Sequence, residues 1–377
     1  MIPFCKPSIT ELELNYAKKA VTGRICGDGP FTETATRLFF DKTGMSNVLM
    51  VSSCTHALEL AALLCGLEPE DEVIIPSFTF SSTANAFILR GAKPVFCEID
   101  PRTMNIDTNR IEELITEKTK AICPIDYAGV CCDIDSVNYI AERYNLKVVL
   151  DSAQSLGSKY KGRPAGFDSD YACFSFHETK NYTCGEGGAI FIKSNEEMKS
   201  AEIIREKGTD RSSFYRGEID KYTWQNFGSS YLPSDILMAV LTAQLERFDE
   251  IKSKRISIWE KYFDGLGELE VKGLLKRPYI PEYSEHNAHI FYIFLNTATE
   301  RNDLLNYLRE KGIGAVFHYI PLHSSPYGKS YGYKSEDLPL TEEYSARLLR
   351  LPIFPDLTDD EIGYIIESVH QYFGDSK

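Results

Sequence analysis

A lysine and an aspartate are the residues that this sequence best places for covalent and proton-transfer chemistry. Asp151 directly follows the apolar run 148–150, and a carboxylate after a buried strand needs a cation or an N–H group as its partner. Lys180 follows the apolar run 172–176 and precedes the glycine-rich segment 185–188, so it is a candidate Schiff-base nucleophile. Taken singly, each residue has a commoner role, as an exposed lysine or as a carboxylate bonded to the backbone.

Two further segments offer an anion site and an aromatic surface. Residues 51–56 precede a predicted helix, whose first N–H groups could bind a phosphate, although capping by Ser53 or Thr55 is the commoner role there. Phe80 lies just past another apolar run and could stack on a flat ligand, although aromatic residues there more often belong to the core. A phosphate cradle, a stacking aromatic, an acid and a lysine, in that order, are the parts that a pyridoxal phosphate site requires.

The elements that must position these residues are predicted to form an α/β domain. Short apolar runs alternate with segments of helical periodicity, and strands buried on both faces give such runs. This alternation predicts a mostly parallel sheet, and ligands bind beyond the carboxyl ends of the strands in such sheets. The predicted strands are 73–76, 94–97, 121–125, 148–150, 172–176 and 189–192, and the clearest helices are 57–64 and 136–144.

The pattern changes after about residue 250, so we expect a large α/β domain over 1–250, including an N-terminal segment, and a small α+β domain over 251–377. The predicted elements of the small domain are strands at 289–295 and 315–320, a helix at 302–311 and a last helix. Thr358 and Glu361 have the capping-box spacing that starts this last helix. Residues 208–224 are expected to form a long loop, and such loops are often functional.

Composition excludes several classes of protein. The 377 residues carry a formal net charge of −14 without a basic block, which disfavours nucleic acid and anionic membranes as partners. No apolar run is long enough for a membrane helix and residues 1–7 lack the order of a signal peptide, so we expect a cytoplasmic protein. The ten cysteines include no CxxC pair and are expected to be buried free thiols. His286 and His289 lack a third ligand at a recognisable spacing, so we expect no metal site and ordinary interdomain or surface histidines.

The sequence resembles the sugar-nucleotide aminotransferases of the DegT/DnrJ/StrS family, which are pyridoxal phosphate enzymes of fold type I, the aspartate aminotransferase fold. The resemblance extends over nearly the whole chain. The matching segments are 27–29, 66–74, 175–180, 318–323 and 351–352. Segments 176–183, 205–209, 221–224 and 228–232 further resemble a branch of the family that aminates a dTDP-linked keto sugar for bacterial surface polysaccharides.

The resemblance implies a role for each of the candidate residues. Lys180 would carry the Schiff base and Asp151 would bond the pyridine nitrogen. Gln154 would lie at the 3-hydroxyl group, and Phe80 would stack on the ring. The phosphate ligands would be Ser175, the turn at Cys54 and Thr55, and Ser230 from a neighbouring subunit, where the wider family often has Asn in place of Ser230, Arg in place of Leu232 and Gly in place of Cys54.

The resemblance also implies the substrates and partners. L-Glutamate would donate its amino group to the 4-keto carbon of dTDP-4-keto-6-deoxy-D-glucose, giving dTDP-4-amino-4,6-dideoxy-D-galactose. His323 resembles the substrate-side histidine of the family, although a core or interface histidine is the alternative, and Tyr319 lies in the same segment. Because this fold builds its site between subunits, we expect at least a homodimer. The positive charges available for a sugar diphosphate are Lys207, Arg211, Arg216 and Lys221, with solvated surface charge as the alternative.

Three other functions compete with this interpretation. One branch of the family dehydrates sugars with pyridoxamine phosphate and has histidine in place of the Schiff-base lysine, whereas Lys180 is present here. A second alternative keeps the chemistry but changes the keto sugar nucleotide or the configuration of the new amine. The third is a regulatory homologue without turnover, which loss of Lys180 or Asp151 would have indicated.

Overall fold

The structure, a computed structural model, describes residues 1–375. Within this range the strands are β1 (Val48–Val51), β2 (Glu72–Pro76), β3 (Lys93–Cys97), β4 (Thr119–Ile122), β5 (Lys147–Asp151), β6 (Lys159–Tyr160), β7 (Arg163–Pro164), β8 (Tyr171–Ser175), β9 (Gly188–Ile192), β10 (Leu275–Lys276), β11 (Ser284–Glu285), β12 (Phe291–Leu295) and β13 (Leu348–Leu351).

Helices pack on both faces of the central sheet, and a helix also ends the described part of the chain. They are α1 (Glu11–Val21), α2 (Pro30–Thr43), α3 (Cys54–Leu64), α4 (Ser81–Ile88), α5 (Ile134–Tyr144), α6 (Asn195–Arg205), α7 (Arg211–Tyr215), α8 (Asp235–Glu246), α9 (Phe248–Gly265), α10 (Gly267–Val271), α11 (Ala298–Glu310), α12 (Pro326–Lys329), α13 (Pro339–Arg347) and α14 (Asp359–Asp375). Short 3₁₀ helices lie at Thr108–Arg110, Glu112–Leu114, Tyr127–Gly129 and Ser335–Asp337. None of the helices described is both long and apolar enough to span a lipid bilayer.

A seven-stranded sheet forms the centre of the molecule, in the order β1-β9-β8-β5-β4-β2-β3. Its neighbours pair in parallel from β8 to β3, whereas β9 runs antiparallel to both β8 and β1. The predicted α/β class with a large, mostly parallel sheet is therefore confirmed. Each predicted run overlaps a strand of this sheet, although 121–125 extends three residues beyond the end of β4, and β1 is an additional strand that we did not predict. Because β5 and β8 are parallel neighbours, their carboxyl ends lie at the same edge, which brings Asp151 near Ser175.

Apolar packing explains why these short runs form a sheet. The strands β2, β5 and β8 consist almost entirely of buried residues, as expected for strands covered on both faces. Ala57, Leu60 and Ala61 of α3 pack on one face of the sheet. Phe39 of α2 and Leu241 of α8 pack with Phe174 and other residues on the opposite face. The sheet and both helical layers therefore share continuous apolar cores, which fix the edge at which Asp151 and Ser175 lie.

The residues after about 250 build a smaller core around the antiparallel sheet β10-β12-β13. The strand predicted at 315–320 is wrong, because in that segment only Val316 forms a bridge, with Arg350 of β13. Its aromatic residues mimic a strand pattern, but Phe317, His318 and Tyr319 line a cavity instead. The predicted capping box is confirmed, since Thr358 N–H donates to Glu361 Oε2 at 3.0 Å and Glu361 N–H donates to Thr358 Oγ1 at 3.3 Å.

Two further segments differ from the sequence-based expectation. The predicted loop 208–224 contains the helix α7, so it is only partly irregular. The first residues of the chain pack against the small core, because Ile2 is buried there and bridges to Ile313. Ile2 N–H donates to Gly312 O at 2.8 Å, and Gly314 N–H donates to Ile2 O at 2.9 Å. The amino-terminal segment is thereby attached to residues that lie far along the sequence.

Candidate active site

A cavity of about 650 Å³ lies at the carboxyl edge of the central sheet. The ends of β5 and β8 and the first turn of α3 form one side of it. Residues 316–319, Arg350 and the amino-terminal residues Phe4 and Cys5 form the other side. The sequence-predicted residues that line it are Cys54, Thr55, Phe80, Asp151, Gln154, Ser175, Lys180 and Tyr319.

Asp151 is a buried carboxylate with few partners. Its Oδ2 accepts a hydrogen bond from Thr83 Oγ1 at 2.7 Å, and its Oδ1 accepts one from the backbone N–H of Ala153 at 3.1 Å. Burial raises its pKa above the usual range, while these hydrogen bonds and the charge of Lys180 act in the opposite direction. A further cation or N–H donor in the cavity would therefore stabilise the ionised form.

Lys180 lies in the turn after β8, where its backbone N–H donates to His177 O at 2.9 Å. Burial lowers the pKa of its ammonium group, although the negative charges of Asp151 and an ionised Cys54 would act in the opposite direction. A lowered pKa increases the fraction of free amine near neutral pH, and the free amine is the nucleophilic form. The fold therefore places an activated lysine in the same cavity as a carboxylate.

The first turn of α3 provides an anion site at one end of the cavity. Ser53 caps the helix by accepting a hydrogen bond from His56 N–H at 3.1 Å, and the first turn of any helix has N–H groups without intrahelical partners. Thr55 Oγ1 donates to Ser82 Oγ at 2.8 Å, and Ser175 Oγ lies in the same cavity. Hydroxyl groups and a helix N-terminus together fit a phosphate group.

Gly188 allows β9 to approach this helix N-terminus closely. A Cβ atom at Gly188 would lie 2.4 Å from the carbonyl carbon of Ser53 and 2.5 Å from the nitrogen of Cys54, both backbone atoms that cannot move freely. We expect Gly188→Ala to lower the free energy of unfolding by about 1–3 kcal/mol, because the clash must displace β9 or α3. Chemical denaturation measures this change.

Gly363→Ala is the matched control for that substitution. Gly363 lies within α14, and nothing lies within 4 Å of the position of an added Cβ. Alanine favours a helix over glycine by about 1 kcal/mol, so this variant should be as stable as the wild type or more stable. Equal stability of Gly188→Ala and the wild type would contradict the close approach.

Phe80 and Gln154 occupy the wall between the anion site and residues 316–319. Phe80 is the N-cap residue of α4 and is 59% exposed although it lines the cavity. Gln154 is held at both ends, since its Oε1 accepts from Ala128 N–H at 2.7 Å and its Nε2 donates to Tyr319 Oη at 3.1 Å. An exposed ring and a fixed amide at the mouth of a cavity suit the face and edge of a flat ligand.

Six sequence-predicted residues are not among the residues that line this cavity, namely Lys207, Arg211, Arg216, Lys221, Ser230 and His323. His323 is fully buried, with its Nδ1 2.7 Å from Ser77 Oγ, so the alternative role as a core histidine describes its position in this chain. Lys207 and Arg211 both form ion pairs with the buried Glu206, at 3.1 and 2.9 Å. Ser230 is exposed and bridges to Glu206 instead.

The cavity also contains residues that the sequence did not single out. His289, expected to be an ordinary interdomain or surface histidine, is buried beside Asn181 of the predicted large domain, so it is not a surface residue, and it also lines the cavity. Asn181 Nδ2 donates to Asn287 O at 2.9 Å, so Asn181 Oδ1 faces His289 Nδ1 at 2.9 Å and Nδ1 must carry the proton. Burial lowers the pKa of His289 well below its usual range, which keeps the ring neutral.

His318, Asp126, Arg255 and Arg350 are further cavity residues without an individual sequence signal. His318 Nδ1 lies 3.1 Å from Tyr127 Oη, and burial lowers its pKa well below the usual range. Asp126 is buried between β4 and the cavity, and burial raises its pKa to about 6. A charged residue inside the apolar run 348–351 is the one pattern that could have indicated Arg350.

Comparison with known proteins identifies related chains of nearly the same length. The model of the DegT/DnrJ/EryC1/StrS aminotransferase family matches residues 7–370. The protein MJ1066 of Methanocaldococcus jannaschii is 33% identical over 100% of this chain and 98% of its own length. The spore coat polysaccharide biosynthesis protein SpsC of Bacillus subtilis is 31% identical over 98% of this chain and 96% of its own length.

Solved structures have the same fold as this chain. The putative sugar aminotransferase Spr1654 from Streptococcus pneumoniae, in its PMP form, superposes with a TM-score of 0.91 at 28% identity. The match covers 98% of each chain. The PLP form of the same protein gives a TM-score of 0.90 at 29% identity and covers 97% of each chain. The large mostly parallel sheet therefore belongs to fold type I.

Proposed function

The chain is a member of the DegT/DnrJ/EryC1/StrS aminotransferase family, and on that premise we propose that it aminates the 4-keto carbon of dTDP-4-keto-6-deoxy-D-glucose with L-glutamate as donor. The product would be dTDP-4-amino-4,6-dideoxy-D-galactose, a precursor of surface polysaccharide. One observation carries the proposal. A half-buried lysine, Lys180, and a buried aspartate, Asp151, share a cavity with the N-terminus of α3.

The residues of this cavity fit pyridoxal 5′-phosphate as cofactor, with pyridoxamine phosphate as its aminated form. The phosphate would bind at the first turn of α3, with Ser175 and Thr55, and the ring would lie between Phe80 and the sheet. Asp151 would bond the pyridine N–H, which supplies the cation that its buried carboxylate lacks. When bound, the cofactor supplies a ring that accepts the electrons released at the donor's α-carbon.

Lys180 would then act as the proton carrier of the reaction. Its free amine would take the proton from the α-carbon of the donor, and its ammonium form would then be the acid that gives a proton back. Burial lowers the pKa of Lys180, which increases the fraction of the free amine that accepts the proton. Gln154, fixed by Ala128 and Tyr319, would hold the edge of the ring at its 3-hydroxyl group.

Two relatives support a sugar as the acceptor. SpsC is named for polysaccharide biosynthesis and Spr1654 for a sugar aminotransferase activity. A cavity of about 650 Å³ is large enough for a cofactor together with part of a sugar nucleotide. Lys207 and Arg211 remain our candidates for contacts with the diphosphate, and Tyr319, which lines the cavity, is our candidate for a contact with the substrate.

We also propose a homodimer in which Ser230 reaches the phosphate in the cavity of a second copy. The support is the exposed segment 221–230, in which Trp224 is 81% exposed and Phe227 is also exposed. Large exposed aromatic residues in one segment are typical of an interface. The division into domains 1–250 and 251–377 is part of the same proposal, and the separate apolar core around β10, β12 and β13 supports it.

The expected result is a pair of half-reactions that optical absorbance can follow. The protein loaded with pyridoxal phosphate should lose its visible absorbance on addition of glutamate and regain it on addition of dTDP-4-keto-6-deoxyglucose. Nuclear magnetic resonance of the product then assigns the configuration at C4. Bleaching by glutamate without recovery would contradict the proposed acceptor, and no bleaching would contradict the proposed donor.

A further inference from the structure

His289 presents to the cavity a hydrogen-bond acceptor that no other group of residues 1–375 uses. Its ring is 7% exposed and lines the cavity. Because Nδ1 donates to Asn181 Oδ1 at 2.9 Å, the other ring nitrogen, Nε2, carries no proton and can only accept. Nε2 has no hydrogen-bond partner and is not one of the fully enclosed polar atoms, so a donor in the cavity can reach it.

A chain of two asparagines fixes this tautomer. Asn181 Nδ2 donates to Asn287 O at 2.9 Å, and a carbonyl oxygen requires a donor, so the amide of Asn181 cannot turn over. Asn287 is fixed in turn, since its Nδ2 donates to Leu156 O at 2.9 Å and its Oδ1 accepts from His289 N–H at 3.0 Å. The hydrogen bond at one ring nitrogen thereby sets the role of the other.

The two other histidines of the cavity wall are not held in this way. His177 Nδ1 accepts from the backbone N–H of Thr179 at 3.4 Å, so its Nε2 is a donor. His318 Nδ1 lies 3.1 Å from Tyr127 Oη, and a hydroxyl group can either donate or accept, so this contact leaves the tautomer of His318 open. His289 is therefore the histidine of this wall with a fixed acceptor.

Lys180 is the donor best placed to use this acceptor. It directly precedes Asn181, which holds the ring, and it lines the same cavity. Burial lowers the pKa of His289 most, and the charge of Lys180 lowers it further, with larger effect than the charges of Arg255 and Arg350. This order indicates that Lys180 is the cation that acts most strongly on the ring.

The donors of the two arginines are directed to the backbone instead. Arg255 Nε donates to Ala288 O at 3.1 Å, and its Nη2 donates to His289 O at 2.7 Å. Arg350 Nη2 donates to Phe317 O at 3.2 Å. Lysine, in contrast, carries three donors on a flexible four-carbon stem, so its amino group can turn toward Nε2.

A hydrogen bond to Nε2 would affect both protonation states of Lys180. An amine that donates one N–H to the ring directs its lone pair away from the ring, into the cavity where a proton is to be taken. The ammonium form would donate to the same acceptor, and a hydrogen bond to a charged form favours that form. This contact would therefore raise the pKa of Lys180, in opposition to burial, which lowers it.

We propose that His289 is a positioning residue for Lys180, whose amino group donates a hydrogen bond to His289 Nε2 whenever it is free of the cofactor. The imidazole stays neutral throughout and gains no proton. The catalytic consequence rests on the proposed transaminase function. The contact itself does not, because it can be tested in protein without cofactor.

Nitrogen nuclear magnetic resonance of the cofactor-free protein, labelled with ¹⁵N at histidine, tests the contact directly. We expect a protonated Nδ1 and an unprotonated Nε2 for His289 near neutral pH. Lys180→Ala should shift the Nε2 resonance, because the donor is lost, and leave Nδ1 nearly unchanged. A protonated Nε2, or an Nε2 resonance that Lys180→Ala does not shift, would overturn the proposal.

Competitive acetylation of the same cofactor-free protein with acetic anhydride measures the pKa of Lys180 by mass spectrometry. The exposed Lys199 is the internal reference. His289→Phe keeps an aromatic ring without an acceptor, so we expect the pKa of Lys180 to fall by about one unit. His289→Gln supplies an amide oxygen and should recover part of that shift.

His286→Phe is the matched control. His286 lies outside the cavity, and its ring packs on Trp259 with centres 4.4 Å apart, a contact that phenylalanine can keep. Circular dichroism shows whether each variant folds. An unchanged Lys180 pKa in folded His289→Phe would contradict the contact. Equal shifts in His289→Phe and His289→Gln would also contradict it, because they would assign the effect to burial alone.

The two half-reactions separate this inference from the proposed function. In protein loaded with pyridoxal phosphate, rapid mixing with L-glutamate should show a first half-reaction about 10-fold slower in His289→Phe, at unchanged cofactor affinity. A loss confined to the second half-reaction would overturn the inference, because it would assign His289 to the keto sugar. A wild-type protein that reacts with no amino acid would refute the proposed function, while resonance and acetylation would still decide the contact.

Discussion

Replacing Lys180 by alanine is expected to abolish transamination while the protein still folds and binds cofactor noncovalently. The variant loses the covalent attachment and the proton carrier together, and positioned proton transfer alone is worth about 10²–10⁴-fold in rate. Folding should survive, because burial already lowers the pKa of this ammonium group and thus disfavours the charge that is removed. The phosphate contacts at α3 do not involve Lys180, so the cofactor should still bind.

Steady-state kinetics with the keto sugar measures the loss, and equilibrium dialysis measures the retained cofactor. The control is Lys199→Ala, because Lys199 is exposed on α6 outside the cavity. Borohydride reduction of the loaded wild type, followed by peptide mapping, should mark Lys180 and leave Lys199 unmodified. Appreciable transamination by Lys180→Ala would refute the assignment of this lysine.

Replacing Asp151 by asparagine is expected to reduce turnover by about 10²–10⁴-fold, with a smaller effect on folding. Asparagine can still accept the hydrogen bond from Thr83 or the one from Ala153, so the local geometry is largely kept. What is lost is the negative charge opposite the pyridine N–H. Removing one partner of a buried ion pair typically costs about 3–5 kcal/mol. Each ~1.36 kcal/mol added to the activation barrier slows the reaction about tenfold.

The loss should appear in both half-reactions, since the same ring accepts electrons in each. Optical titration of the loaded protein with pH should show that the cofactor loses its ring proton more easily in Asp151→Asn than in the wild type. Asp41→Asn, a change of an exposed residue at the surface of α2, is the control. Normal rates in Asp151→Asn would show that this carboxylate has only a structural role.

The strands and the residues at their ends were predictable because their signals are local. Runs such as 148–150 are apolar at every position, and a polar residue that ends such a run must lie at the sheet edge. Asp151 and Lys180 were found in this way. The segment 315–320 was misassigned because its aromatic residues satisfy a strand pattern while their side chains line the cavity.

The wall opposite the sheet could not be predicted because its contacts join distant parts of the chain. Nothing in the neighbourhood of His289 indicates that Asn181 will fix its tautomer. Arg350 is one charge in an apolar run, and its place in the cavity wall becomes visible only when the surrounding residues are placed in three dimensions. His323 was predicted to be a substrate residue for the same reason, because its contact with Ser77, which is distant in the sequence, is not visible there. In the structure its Nδ1 lies 2.7 Å from Ser77 Oγ.

The attachment of the amino-terminal segment to the small core has a consequence for how the cavity is completed during translation. Phe4 can stack on Arg350 only after residue 350 has left the ribosome, and Ile2 can bridge to Ile313 only after residue 313 has done so. The sheet that carries Asp151 and Lys180 can form earlier, since domains generally fold as they emerge. A nascent chain would therefore hold Lys180 in place before the opposite wall of the cavity is complete.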